Sequence, residues 1–185
     1  MANIFEKALA GKELREAYLK KAEAELATLQ EKGINLYGYA FSNVLIVKAE
    51  NPELGEAVAQ EKDVEAVRAA LKALGYEPQD WALLTLPLNF SLSDEDLRLC
   101  IGTLDPHTII CVDDFSAIYL RECYVSELVM IDDLRVAMLE PLYPALIMGM
   151  RILNLGNFAE ALEDAEQKQE CWAALKWLRP YAEPY

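Results

Sequence analysis

At 185 residues the chain is long enough to bury a sizeable core, and 54% hydrophobic with 26% charged residues is the composition of a globular protein, not a disordered one. With 31 acidic against 17 basic residues the net charge is −14, which repels a phosphate backbone and disfavours nucleic acid as a direct partner. No apolar run reaches the about 18 residues of a membrane span. The stretch Met1–Lys7 lacks the basic and apolar regions of a signal peptide, so cytoplasmic residence without membrane contact is expected.

The first element is a long helix from Ile4 to Glu31, with a loose apolar stripe of Leu14, Tyr18, Leu26 and Leu29 and a C-cap at Gly33. Such a stripe docks a helix on its own domain or on a partner. The helix reads as an extension, residues 1–33, ahead of a core at residues 43–178 in one domain. Asn43 to Ala49 is a continuous apolar run, the pattern of a strand buried on both faces of a parallel sheet. A turn at Glu50-Asn51-Pro52 follows, then a helix from Lys62 to Leu74 with Val64, Val67, Leu71 and Leu74 on one side and Gly75 at its end.

Asp80 to Leu86 reads as the second strand, stopped by Pro87. Ser93 caps a helix ending near Thr103, and acidic residues in its first turn suit the helix dipole. Thr108 to Val112 is the third strand, and Asp113 or Asp114 caps the next helix, through Tyr124. A less regular stretch leads to Val136–Leu139, expected as strand four. Pro141 to Pro144 ends it, and a helix from Phe158 to Leu178 closes the chain. Strands alternating with helices at these spacings predict a three-layer α/β/α domain around a four-stranded parallel sheet, with the extra N-terminal helix.

The cysteines, Cys100, Cys111, Cys123 and Cys171, show no C-x-x-C spacing and sit among apolar neighbours, as buried reduced thiols do. The single histidine, His107, stands just before strand three, where a structural or solvent-facing role is expected over catalysis. Asp113-Asp114 reads as a helix cap and Asp132-Asp133 as a solvated loop, in preference to a cation site.

Six segments stand in a fixed order along the chain. They are Ala49-Glu50-Asn51-Pro52-Glu53 after the first strand, Gly75-Tyr76 leading to Asp80, and Glu95-Asp96-Leu97-Arg98-Leu99-Cys100. Leu104 to Asp113, Tyr143-Pro144-Ala145 and Trp172-Ala173-Ala174-Leu175 complete the set. Together they resemble the uracil-DNA glycosylase superfamily, in particular its iron–sulfur bacterial and archaeal branch, from about Asn43 to Leu178. The resemblance implies that fold, and a nucleobase pocket built by Ala49, Glu50, Asn51, Pro52, Thr85, Tyr143 and Pro144.

Base excision requires a flipped base held by its Watson–Crick edge and stabilisation of the charge that develops as the glycosidic bond breaks. The chain departs from the family where those steps occur. Thr85 stands at or beside the asparagine that reads the uracil edge, and a hydroxyl lacks the paired donor and acceptor of an amide. Tyr143 replaces the charge-stabilising histidine. Ala49 and Glu53 replace glycines that allow close backbone approach. No stacking aromatic stands between Pro52 and Val64. Cys100 alone matches the cluster's ligand positions, where about four thiolates are needed, so no cofactor and no metal are expected. Glu50 is retained, and a turn-capping role is expected for it.

The leading expectation is a catalytically degenerate domain that binds another protein, in the setting of DNA replication or repair. A looser similarity to the psi subunit of the bacterial DNA polymerase III clamp loader points the same way. It rests on Val44-Leu-Ile-Val47 before Pro52-Glu-Leu54 and on Ala70-Leu-Lys-Ala-Leu-Gly75. The alternative is an active uracil-DNA glycosylase or related nucleobase glycosidase that uses Glu50, Thr85 and Tyr143. A third reading is an unrelated doubly wound domain that shares only generic strand–helix punctuation.

Overall fold

The computed structural model describes residues 4–50, 58–89 and 91–178, with side chains from residue 16 onward. Helix α1 runs Ile4–Gln30. It stops where Gly33 predicts: Gly33 N donates to Gln30 O and Ile34 N to Leu29 O, the paired bonds of a Schellman end. Of the expected stripe, Leu26 and Leu29 do pack on the domain, joined by Ala22. Tyr18 points to solvent, and the side chain of Leu14 lies outside the described residues. Strands β1 (Asn35–Gly38) and β2 (Val44–Glu50) follow, then α2 (Lys62–Ala73). A single 3-10 turn at Pro78–Asp80 leads into β3 (Trp81–Pro87).

Helix α3 (Asp94–Leu104) starts on Ser93, whose hydroxyl accepts from Asp96 N at 3.2 Å. Lys32, just past the end of α1, reaches Asp96 at 2.6 Å and Thr103 donates to Glu25 of α1 at 2.8 Å, so two polar contacts fasten α1 and the turn after it to α3. Next come β4 (Thr108–Cys111), α4 (Asp114–Cys123) and the short helices α5 (Val125–Leu128) and α6 (Leu134–Ala137). Strands β5 (Ala145–Ile147) and β6 (Met150–Asn154) form a hairpin, and α7 (Phe158–Ala161), α8 (Ala165–Leu175) and a 3-10 turn at Lys176–Leu178 complete the described chain.

The sheet has six strands in the order β1-β3-β2-β4-β6-β5. Neighbours among β3, β2, β4 and β6 are parallel, while β1 and β5 run antiparallel at the two edges. The expected four-stranded parallel sheet is therefore corrected to a mixed six-stranded one. Both edge strands are short, with 4 and 3 residues, which is why neither had a readable apolar alternation in the sequence.

A second correction concerns strand four. Val136–Leu139 is not a strand; the segment is the end of α6 and its C-terminal turn. Four apolar residues suit either period, and the decision falls to Asp133, whose carboxylate accepts from Arg135 N at 3.0 Å and starts a helix. The fourth parallel strand is β6 instead. It is reached through Met148 (φ 49°) and Gly149 (φ 83°), two left-handed residues that close a two-residue hairpin from β5. The long closing helix is also interrupted: Asp164 accepts from Gln167 N at 2.8 Å and restarts the chain as α8.

Alternate residues of the buried strands feed two cores. On one face Leu45, Val47, Leu84 and Ile109 meet Leu29 of α1, Leu97 and Ile101 of α3 and Leu120 of α4. On the other, Val44, Ile46, Leu83 and Ile110 meet Val64, Val67 and Leu71 of α2 and Leu175 of α8. Helices thus cover both faces. Among the described residues no helix is long and apolar enough to cross a membrane.

Candidate functional site

From β2 the chain passes to β3 on one side and later to β4 on the other, so the order of the parallel strands reverses between β2 and β4. In α/β sheets of this kind the crevice outside the carboxyl ends of the strands at such a reversal is where ligands bind. Here that point is bounded by Ala49 and Glu50 at the end of β2 and by Asp113 just beyond β4. Asn51, Pro52 and Glu53, the rest of the turn singled out in the sequence, lie outside the described residues.

Asp113 joins the two sides. Its Oδ1 accepts from Ser116 N at 2.7 Å, which caps α4, and its Oδ2 accepts from Ala49 N at 2.9 Å. Burial pushes this carboxyl above the usual carboxylate range, although both amide bonds and the Lys48 charge pull the other way. The helix-capping role expected at this pair thus falls to Asp113, with an added tie to β2.

On the α2 side of the sheet, Lys48 lies between β3 and β4 with Thr85 beside it in register. Its ammonium donates to Asp63 at 2.5 Å and to Glu61 at 2.5 Å. Asp63 is itself buried, and its second oxygen accepts from Val64 N at 2.8 Å. Burial alone lowers the Lys48 pKa, but the hydrogen bonds and charges of Asp63 and Glu61 outweigh it and leave the pKa raised. This ion triad ties β2 to the start of α2. Thr85 is 4% exposed, and Glu50 is nearly as buried, in register with Pro87.

Tyr143 and Pro144 stand elsewhere on the same edge of the sheet. Leu142 N donates to Asn154 O, which sets this segment beside the end of β6, two strands from β2, or about 10 Å of sheet. The Arg135 guanidinium lies 4.5 Å from the Tyr143 ring centroid and donates to its hydroxyl at 3.1 Å. Tyr143 and Pro144 line an open depression with Pro141, Glu170, Ala174 and Trp177, and neither Glu50 nor Thr85 takes part in it. Glu50 and Thr85 therefore share the α2 side of the sheet, Ala49, next to Glu50 in sequence, faces the α1 side with Leu86, and Tyr143 and Pro144 line the depression beside α8.

Other singled-out residues take plainer places. Cys100 is fully buried in α3, where desolvation pushes its thiol up to about 12, and all four cysteines are free and buried. His107 is exposed at the opening of β4, and its backbone joins Asn43 and Arg151. Asp133 caps α6 and holds Arg135 at 3.1 Å, so that pair is more than a solvated loop.

Lys48, Asp63 and Asp113's second bond were not read from the sequence. A lysine directly after Val-Leu-Ile-Val was the available signal, because a charge in a strand buried on both faces requires a partner. Nothing local marks Asp63 as that partner among several acids at the start of α2. Among the described residues every buried side-chain nitrogen and oxygen has a hydrogen-bond partner. Comparison with known proteins finds no family model and no curated protein that matches the chain.

Proposed function

We propose that the chain is a non-catalytic, uracil-DNA glycosylase-like domain that acts as a cytoplasmic protein-interaction module in DNA replication or repair. One observation carries this reading: the polar groups at the strand reversal are engaged with one another. Lys48 is held by Asp63 and Glu61, and Asp113 by the amides of Ala49 and Ser116. A glycosylase needs groups there that are directed at a base and at developing charge. Thr85 is buried beside Lys48, and Tyr143 is stacked against Arg135 in a separate recess, which supports the same view. The net charge of −14 weighs against a duplex as the direct partner. No cluster or metal enters the reading, because Cys100 alone stands at a ligand-like position where about four thiolates are needed.

The test is a release assay with uracil-containing single- and double-stranded oligonucleotides. The expected result is no free base above the buffer control. Release that disappears in Glu50→Gln, with the fold retained, would establish the enzymatic alternative instead.

A further inference from the structure

Helices α5 and α6 and the turn between them form a groove on the surface. Its walls are Val125, Val129, Leu134 and Met138, and its floor is Leu128 and Ile131. Val129 and Leu134 are each 70% exposed, and Met130 beside them is 81% exposed. Single exposed apolar residues are ordinary, but a contiguous set around a concave floor marks an interaction surface. The groove is held firmly from behind. Arg98 of α3 makes a two-pronged bond to Glu127 of α5 at 2.9 and 2.7 Å, and Leu128 is buried in the core below.

The lining restricts the occupant. The backbone here is satisfied internally, as Leu128 N donates to Tyr124 O, Val129 N to Val125 O and Met138 N to Leu134 O. No strand edge is offered, and the walls are hydrocarbon and thioether. An extended peptide would leave its own amides unpaired against such a surface, whereas a helix arrives with its backbone bonds made. Flexible methionines suit the ridges of such a helix.

Charge restricts it further. Arg121, Glu122 and Asp132 stand at the groove, two acids against one base, on a molecule with a net charge of −14. A second copy would bring two strongly acidic molecules together, while a basic partner is attracted.

We propose that the α5–α6 groove seats a basic amphipathic helix of a partner protein, its apolar face on Val129 and Leu134 and its cationic flank toward Glu122 and Asp132. This rests on the interaction-module reading and names the surface and the chemistry of the partner.

Two amphipathic probe helices of about five turns, one Leu/Lys and one Leu/Glu with the same apolar face, test it against the full chain. The Leu/Lys helix is expected to bind at least about tenfold more tightly, and Leu134→Asp to weaken it by about tenfold, the loss of one apolar anchor. Because that substitution adds a negative charge, unspecific attraction to lysine can only rise, so a loss reports the groove. Glu122→Lys with Asp132→Lys is expected to narrow the difference between the probes. Thermal melts of the variants confirm that each retains the fold.

A photo-crosslinker at Val129 in the cells that make the protein then captures the natural occupant, with a second at Leu99 on α3 as the comparison. Capture at Val129 of a helical segment with net positive charge, abolished by Leu134→Asp, supports the proposal. Equal binding of both probes, indifference to Leu134→Asp, or capture of a second copy, a lipid or an acidic segment overturns it. Capture from Leu99 alone overturns the groove and leaves the interaction reading standing; uracil release in the glycosylase assay overturns that reading itself.

Discussion

Lys48 is the residue that anchors the end of β2, since its ammonium is nearly buried and answers two carboxylates at the start of α2. Replacing it with methionine keeps the volume but strands Asp63, which is 2% exposed, without a counter-charge. Lys48→Met should destabilise the fold by about 3 kcal/mol in denaturant titration, and adding Asp63→Leu should recover most of that. The raised Lys48 pKa fixes the sign of the pH effect. Its contribution is complete below the ordinary lysine value and is lost as pH rises through the higher folded value, so the alkaline decline in stability should flatten in Lys48→Met. The cysteines give a second residue-scale expectation. With Cys100 and Cys123 both pushed up to about 12 and buried, a disulfide reagent at pH 8 should label them only as fast as the protein unfolds. Burial of the cysteines could be read from their apolar neighbours. The partners of Lys48 could not, because Glu61 and Asp63 lie 13 and 15 residues away and meet it only when α2 folds back on the sheet.

Element boundaries were legible where a single residue carries the signal. Ser93 starts α3 and Gly33 stops α1 as their chemistry demands. Gly75, at φ 95°, ends α2, with Tyr76 N donating back to Leu71 O. Ser93→Ala should therefore cost about 1 kcal/mol, measured by thermal or denaturant unfolding, and Ser93→Gly only a few tenths. Elements whose identity depends on pairing were not legible. Asn35–Gly38 and Ala145–Ile147 are strands because β3 and β6 offer them edges, and nothing in four or three residues declares that. Val136–Leu139 failed for the complementary reason. Its apolar run fits a strand, while the cap at Asp133 makes it a helix, and of its side chains Ala137 and Met138 line the α5–α6 groove.

At the scale of the whole molecule the excess of acid acts everywhere at once. Self-repulsion opposes compaction and is screened within a Debye length of about 10 Å at 0.1 M salt, so the unfolding midpoint should rise between low and physiological ionic strength. A fall over that range would mean that the ion pairs outweigh the net charge. Composition, charge, the alternation of apolar runs with amphipathic helices and the cap residues were determined by the sequence itself, because each acts on its own neighbours along the chain. They were enough for an acidic α/β layered protein with helices on both faces of its sheet. Only the tertiary structure decided the strand order, the antiparallel edges, the distance between Glu50 and Tyr143 and the partners of Lys48 and Asp113. Those are relations between residues far apart in sequence, settled by which surfaces the folded chain brings together.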